Sequence, residues 1–245
     1  MRQIEFGFNV SNTIPFSMEV AFAQTHGFSF LQVWYDARGF SLYNSDPSDI
    51  SLLQTCEIPL LIHALFDVSE LETQFGILTN YLNDLELNEV VIHPVSIGNI
   101  TTVEATERLC HSVLQGVEYF ASQGITLYLE NNSKLECLFQ SIQDIEQVFT
   151  YVPQAELILD VAHIDDYEHL KQIIELKFPR ILHVADRHLE NTHEHLTIGD
   201  GNLDFKLIFR HILKKFSGRI IFEVPFESEA RLRSKQKIEQ ILQLS

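Results

Sequence analysis

The sequence has few cysteines, no Pro/Gly/Ser-rich linker and no low-complexity tract. Its three cysteines, Cys56, Cys110 and Cys137, show no CxxC spacing, which argues against a disulfide framework and against a cysteine zinc site. Thiols of this kind suit a reducing compartment, so we expect a cytoplasmic protein. Because no linker divides the chain, we predict a single domain over residues 1–245.

Long apolar runs and an excess of basic residues are also absent. No stretch approaches the run of about 18 apolar residues that a membrane helix needs, and the segment MRQIEFGFNV lacks the basic and apolar regions of a signal peptide. We therefore expect a soluble protein without a membrane partner. The formal net charge of −17 would repel a phosphate backbone, which disfavours nucleic acid as a partner, although bound cations could reverse the sign locally.

Short segments rich in β-branched and aromatic residues alternate with longer amphipathic stretches along the whole chain. Parallel strands need crossover connections of helical length, so this alternation predicts βα units and a parallel sheet. A closed barrel of this type takes about 250 residues. We therefore predict the α/β class and a single (β/α)8 TIM barrel. Its eight strands are predicted at IEFGFNV, FSFLQVWY, IPLLIHAL, EVVIHPV, ITLYLEN, AELILDVAH, RILHVAD and RIIFEVPF.

Start and stop signals mark several of the intervening helices. Ser69 with Glu72 and Thr101 with Glu104 have the spacing of a capping box. Gly124 follows an apolar stretch in the manner of a helix C-terminal stop. These signals predict helices that begin near residues 70 and 102.

Side chains able to bind metal stand at the ends of the predicted third to eighth strands. In a barrel the carboxyl ends of all strands meet at one face, so these side chains should converge. A buried group of acids and imidazoles would lose much solvation without a cation, although any single buried histidine is more often a hydrogen-bonded core residue. Nitrogen and oxygen donors together favour zinc or manganese. The side chains are His63, His93, Glu130, Asp160 with His163, His183, and Glu223.

A second group of histidines lies in the predicted loop after the seventh strand. It contains His188, His193 and His195, followed by a Gly-Asp-Gly-Asn turn at residues 199–202. A tight turn there would carry His195 towards the metal site, or would begin the next helix, or both. For His188 the expected state is a solvated loop side chain.

Motifs at matching positions run along nearly the whole chain: HA from residue 63, VVIHP ending at 94, LYLEN ending at 131, LDVAH from 159, HVAD from 183, HLTIGDGNLDF from 195 and FEVPF from 222. By these motifs the chain resembles the xylose isomerase-like barrels. That superfamily includes sugar and sugar-phosphate isomerases and epimerases, which act in carbohydrate metabolism, and the endonuclease IV family of abasic-site nucleases.

The isomerase and epimerase branch implies a site with a divalent ion and two acid/base groups. Glu130 and Glu223 match the glutamates that face each other across the substrate, where they would remove and return a proton beside a polarised carbonyl. His163 and Arg187 match positions that contact substrate oxygens. The four residues matched to the ion's ligands are Glu130, Asp160, His183 and Glu223.

The nuclease branch implies a different site, with three zinc ions and more ligands. His193 stands where that branch has an aspartate, so one ion would exchange a carboxylate for an imidazole. We therefore expect one to three ions per chain. The further ligands of that branch match His63, His93, His163 and His195.

Three functions follow from these resemblances. The leading expectation is a metal-dependent isomerase or epimerase of a small sugar, keto-sugar or sugar phosphate. The alternatives are an endonuclease IV-like phosphoesterase with two or three zinc ions, and a barrel that binds metal or a ligand without turnover. A small-molecule substrate is expected, its identity is left open, and a homo-oligomer is compatible with the sequence.

Overall fold

The alternating segments form strands that pair in parallel around a closed barrel. The structure, a computed structural model, describes residues 3–46, 48–97 and 100–243. Among these residues a short strand, β3, pairs antiparallel with β2, while all the barrel strands pair in parallel and β1 closes the ring by pairing with both β2 and β9. The predicted (β/α)8 barrel is confirmed. Its strands are β1 Ile4–Asn9, β2 Phe30–Asp36, β3 Gly39–Phe40, β4 Leu60–Asp67, β5 Glu89–Val95, β6 Thr126–Glu130, β7 Glu156–Asp160, β8 Ile181–Val184 and β9 Gly218–Phe222.

Helices form the outer layer of the barrel. Within the described ranges, none has the length and apolar character needed to cross a membrane. The cytoplasmic location stays a prediction. The single domain over residues 1–245 also stays a prediction, and the first two and last two of these residues lie outside the described ranges. The helices are α1 Phe16–His26, α2 Ser51–Gln54, α3 Leu71–Asp84, α4 Thr102–Ser122, α5 Ile142–Tyr151, α6 Tyr167–Leu176, α7 Phe205–Leu207, which continues as a π-helical turn Ile208–Ile212, and α8 Ser228–Gln243.

Two of the three predicted helix boundary signals operate as expected. The Thr101 side chain caps α4 by accepting a hydrogen bond from the backbone N–H of Glu104, and Gly124 adopts a positive φ of 74° just after α4 ends. The predicted capping box at Ser69 is wrong. The Asp67 carboxylate accepts hydrogen bonds from both the backbone N–H and the hydroxyl of Ser69, so this serine is engaged in a turn before α3 begins.

The barrel interior is built of two layers, one apolar and one polar. Strand residues two apart point to the same side. At seven places around the barrel, a buried apolar side chain lies two residues before a polar one, and these seven apolar side chains form a cluster separate from the main core. The corresponding position on β1 is Gly7, where the missing side chain leaves room for the Phe30 ring. The apolar cluster is therefore the floor beneath the polar residues. It consists of Phe30, Leu61, Val91, Tyr128, Ile158, Ile181 and Ile221.

The loop after β8 is tied down by one buried carboxylate. Asp186 accepts hydrogen bonds from the backbone N–H groups of Arg187, Gly199 and Leu203, at 2.9, 2.6 and 3.1 Å. A Cβ at Gly201 would overlap the Arg187 carbonyl oxygen and the Asp186 side chain. The glycine therefore permits the close approach that folds this histidine-bearing loop over the barrel.

We expect Gly201→Ala to lower the free energy of unfolding by about 1–3 kcal/mol, the typical result of forcing a methyl group into a packed site. Urea unfolding measures this. Gly76→Ala is the matched control, because it lies in α3 and its added Cβ would meet only the Tyr119 hydroxyl at 3.9 Å, so it should be neutral or stabilising. Equal destabilisation by both changes would contradict the role given to Gly201.

Candidate metal centre

A ring of polar side chains stands on the apolar floor, one from each barrel strand in the described residues. Most are fully buried, and Glu223 follows β9 directly. Six of the eight were singled out from the sequence, whereas the two amides on β1 and β2 were missed. Their positions in the strands could have identified them, because Asn9 lies two residues after Gly7 and Gln32 lies two residues after Phe30. The ring consists of Asn9, Gln32, His63, His93, Glu130, Asp160, His183 and Glu223.

Four of these residues could hold one ion between them. Glu130, Asp160, His183 and Glu223 each offer a ligand atom, and these atoms lie within 4.8 Å of one another. They are the residues matched to the ion's ligands in the isomerase and epimerase branch. The structure therefore brings together the predicted four-residue set, while metal ligation by it stays a prediction.

Each carboxylate oxygen of Glu130 lies close to a different group of imidazoles. Its Oε1 lies 2.9 Å from Nδ1 of His183, while its Oε2 lies 2.6 Å from Nε2 of His63 and 2.8 Å from Nδ1 of His93. Burial alone would raise the pKa of Glu130, but the three imidazoles lower it well below its usual value. The carboxylate therefore presents one oxygen to His183 and the other to His63 and His93.

A further group of candidate ligands lies beside Asp160, where two imidazoles face each other. Nδ1 of His163 donates to the carbonyl of Asn131 at 2.8 Å, and Nδ1 of His195 donates to that of Glu223 at 3.0 Å. The two Nε2 atoms are left 3.4 Å apart. Two nitrogens on a tetrahedral zinc ion lie about 3.3 Å apart, since each Zn–N bond is about 2.0–2.1 Å. His193 joins His163 and His195 with a ligand atom within 4.8 Å of theirs.

Two buried polar atoms in the ring have no hydrogen-bond partner among the described residues: Nε2 of His63 and Oδ2 of Asp160. The first is close to Glu130 but not in hydrogen-bonding orientation. The second lies 3.3 Å from Nε2 of His163 and 3.7 Å from that of His195. Orphaned atoms of this kind in a nitrogen and oxygen donor set fit divalent ions such as zinc.

The sequence of this barrel matches a known protein family. A family described as the xylose isomerase-like TIM barrel matches residues 77–244, which is more than half of the chain. The chain belongs to this family. A search of the curated proteins finds no match.

Solved structures agree with this xylose isomerase-like barrel over nearly its whole length. A D-tagatose 3-epimerase-like protein has a TM-score of 0.78 at 19% identity and covers 98% of this chain and 97% of its own. An IOLI protein with a bound zinc atom has a TM-score of 0.75 at 19% identity, with 98% of each chain covered. An AP endonuclease, family 2, from Brucella melitensis has a TM-score of 0.68 at 15% identity, with 95% and 97% covered. At these identities the likeness shows the fold.

A cavity of about 270 Å³ opens above the centre of this xylose isomerase-like barrel. Glu130, Glu223 and His163 line it, and Trp34 closes one side. A neighbouring cavity of about 520 Å³ shares Trp34, Glu223 and His195 with it. The two together give a small molecule access to the ring residues.

Two residues of the loop after β8 lie away from this cavity. The Arg187 guanidinium donates to the backbone carbonyls of Asn191, Thr192 and Ile164, and Arg187 is not among the described residues that line the cavity. His188 pairs with Glu194 at 3.0 Å and keeps 40% of its side chain exposed. Arg187 thus braces the loop in this structure, and its contact with substrate stays a prediction.

Proposed function

We propose that this xylose isomerase-like barrel is a divalent-metal-dependent hydrolase of small phosphoesters, with a centre of two or three zinc ions. The observation that carries the proposal is the position of Glu130, whose two oxygens face separate imidazole groups. A site for one ion would need only one of these groups. Ions bound there would supply Lewis acidity towards a phosphoryl oxygen and would lower the pKa of water.

The charge of the centre supports an anionic substrate. Its three carboxylates, Glu130, Asp160 and Glu223, lie together. With neutral imidazoles, one divalent ion would leave a net negative centre, whereas two or three ions would make it positive. A positive centre attracts a phosphate group even in an acidic protein, because the ions are the largest local charges.

The cavities support a small substrate over a nucleic acid duplex. The space next to the ring is about 270 Å³, and a neighbouring cavity of about 520 Å³ shares three lining residues with it. Together they have the size of a small-molecule site. The net charge of −17 opposes the approach of a polyanionic duplex at long range. The phosphoester is therefore expected to be a small molecule.

The test measures metal content and phosphate release on the same protein. Plasma mass spectrometry of protein purified without chelator should give two or three zinc ions per chain. The double change His63→Ala with His93→Ala should remove about one ion and most phosphate release from a panel of small phosphoesters. A double change of two exposed histidines, His111→Ala with His211→Ala, is the matched control. A content of one ion per chain, unchanged by the first double change, would rule out the multinuclear centre.

A second candidate function is an isomerase or epimerase of a small sugar, keto-sugar or sugar phosphate, with one manganese or zinc ion. It is favoured by the shared cavity of Glu130 and Glu223, where one carboxylate could take a proton from the carbon beside a carbonyl and the other could return one. Incorporation of solvent deuterium into a sugar substrate, lost in Glu223→Gln, would support it. Bound ions without either activity would instead favour a non-catalytic binding barrel.

A further inference from the structure

The two amides of the polar ring, on β1 and β2, contact ligand candidates on β8 and directly after β9. Gln32 is fully buried on β2 and lies next to Asn9, His183 and Glu223. We infer that Gln32 is a positioning residue that determines which nitrogen of His183 binds a metal ion and fixes the orientation of the Glu223 carboxylate. The inference concerns the metal centre alone, so it holds for either candidate reaction.

The hydrogen bonds leave one orientation for the Asn9 amide. Its Nδ2 lies 2.8 Å from Oε1 of Glu223, and an ionised carboxylate only accepts hydrogen bonds, so the nitrogen must face it. Oδ1 of Asn9 then faces Nε2 of Gln32 at 3.1 Å. Asn9 thereby determines the orientation of the second amide.

Gln32 must present its nitrogen to its two nearest acceptors and its oxygen to His183, while Nδ1 of His63 lies 3.4 Å from the same nitrogen. Nε2 of Gln32 donates to Oδ1 of Asn9 and, at 3.0 Å, to Oε1 of Glu223. Its Oε1 lies 3.0 Å from Nε2 of His183. Because an amide oxygen only accepts, Nε2 of His183 carries a proton.

The other ring nitrogen of His183, Nδ1, faces two carboxylates and is the nitrogen left available to a metal ion. It lies 2.9 Å from Oε1 of Glu130 and 3.5 Å from Oε1 of Glu223. Without an ion, a proton on Nδ1 can join it to Glu130, and a divalent ion bound there would displace that proton. Gln32 thus selects Nδ1 as the metal-binding atom.

The same amides hold the Glu223 carboxylate in one orientation. Asn9 and Gln32 both donate to its Oε1, while Oε2 points towards Nδ1 of His195 at 3.7 Å. A carboxylate free to rotate about its last bond would lose entropy on binding an ion. Fixing it in advance should strengthen ion binding, as neighbours of metal ligands commonly do.

The first experiment identifies the nitrogen of His183 that binds zinc in the unchanged protein. Long-range 1H–15N spectra of zinc-loaded protein labelled with 15N-histidine distinguish a protonated Nε2 from a protonated Nδ1, and loss of the signal in His183→Asn assigns it. We expect Nε2 to carry the proton and Nδ1 to bind zinc. A zinc-bound Nε2 would overturn the inference whatever the variants do.

The second experiment removes the amide and measures zinc binding by competition with a chromophoric chelator. Gln32→Met, which has a similar volume, should lower zinc affinity by about 10- to 100-fold and should lose the fixed proton on Nε2. Gln32→Glu should keep that proton, because its carboxylate still accepts from Nε2–H. Gln115→Met, on an exposed position of α4, is the control. Unchanged zinc affinity in folded Gln32→Met would overturn the inference.

Discussion

Glu130→Gln is expected to remove at least one ion per chain and to lower turnover about a thousandfold or more. The change keeps the size of the side chain but removes its charge. Its amide nitrogen would have to face His183 on one side or His63 and His93 on the other, so one group of imidazoles loses its oxygen partner. Lewis acid stabilisation is typically worth several kcal/mol, and about 4 kcal/mol corresponds to a thousandfold in rate.

The measurements are metal content by plasma mass spectrometry and the rate of phosphate release or sugar exchange. Glu175→Gln is the control, because it changes the same group at an exposed position of α6. A cooperative thermal transition must be retained, so that lost binding is not lost folding. Full metal content with full turnover in folded Glu130→Gln would refute the central role of this carboxylate in both candidate functions.

The fold could be predicted because strand and helix signals alternate strongly along the chain. Each of the eight predicted segments overlaps a barrel strand. The convergence of residues as distant as His63 and Glu223 followed from the barrel alone, since the carboxyl ends of its strands share one face. The spacing of Asp160 and His163 within one motif likewise placed two polar side chains at the same strand end.

The contacts of Gln32, which was missed, and of Arg187 depend on how distant parts of the chain meet. Gln32 lies within an apolar run, FSFLQVWY, and its role becomes visible only when closure of the barrel brings it to His183 and Glu223. Arg187 follows a metal-ligand candidate by four residues, but the course of the loop after β8 directs its guanidinium to backbone carbonyls. Neither outcome can be read from spacing, because barrel closure decides the contacts of Gln32 and loop conformation decides those of Arg187.

A buried ion pair supports the ring from outside the barrel. Arg231 on α8 and Glu19 on α1 are 2% and 1% exposed and are joined by two hydrogen bonds. The guanidinium stacks over Phe8 at 4.1 Å and donates to the backbone carbonyl of Asn9 at 3.0 Å. The pair thus holds the end of β1, where Asn9 donates to Glu223.

Arg231→Met is therefore expected to lower the free energy of unfolding by about 3–5 kcal/mol, because it leaves the buried Glu19 charge without its partner. Urea unfolding measures the loss. Arg233→Met is the control: its pair with Asp200 is exposed, and such pairs contribute about 0–1 kcal/mol. Adding Glu19→Met to Arg231→Met should recover part of the stability, since no unpaired charge remains. If the single and double variants are equally unstable, the loss comes from packing around Phe8 and the uncompensated carboxylate is not its cause.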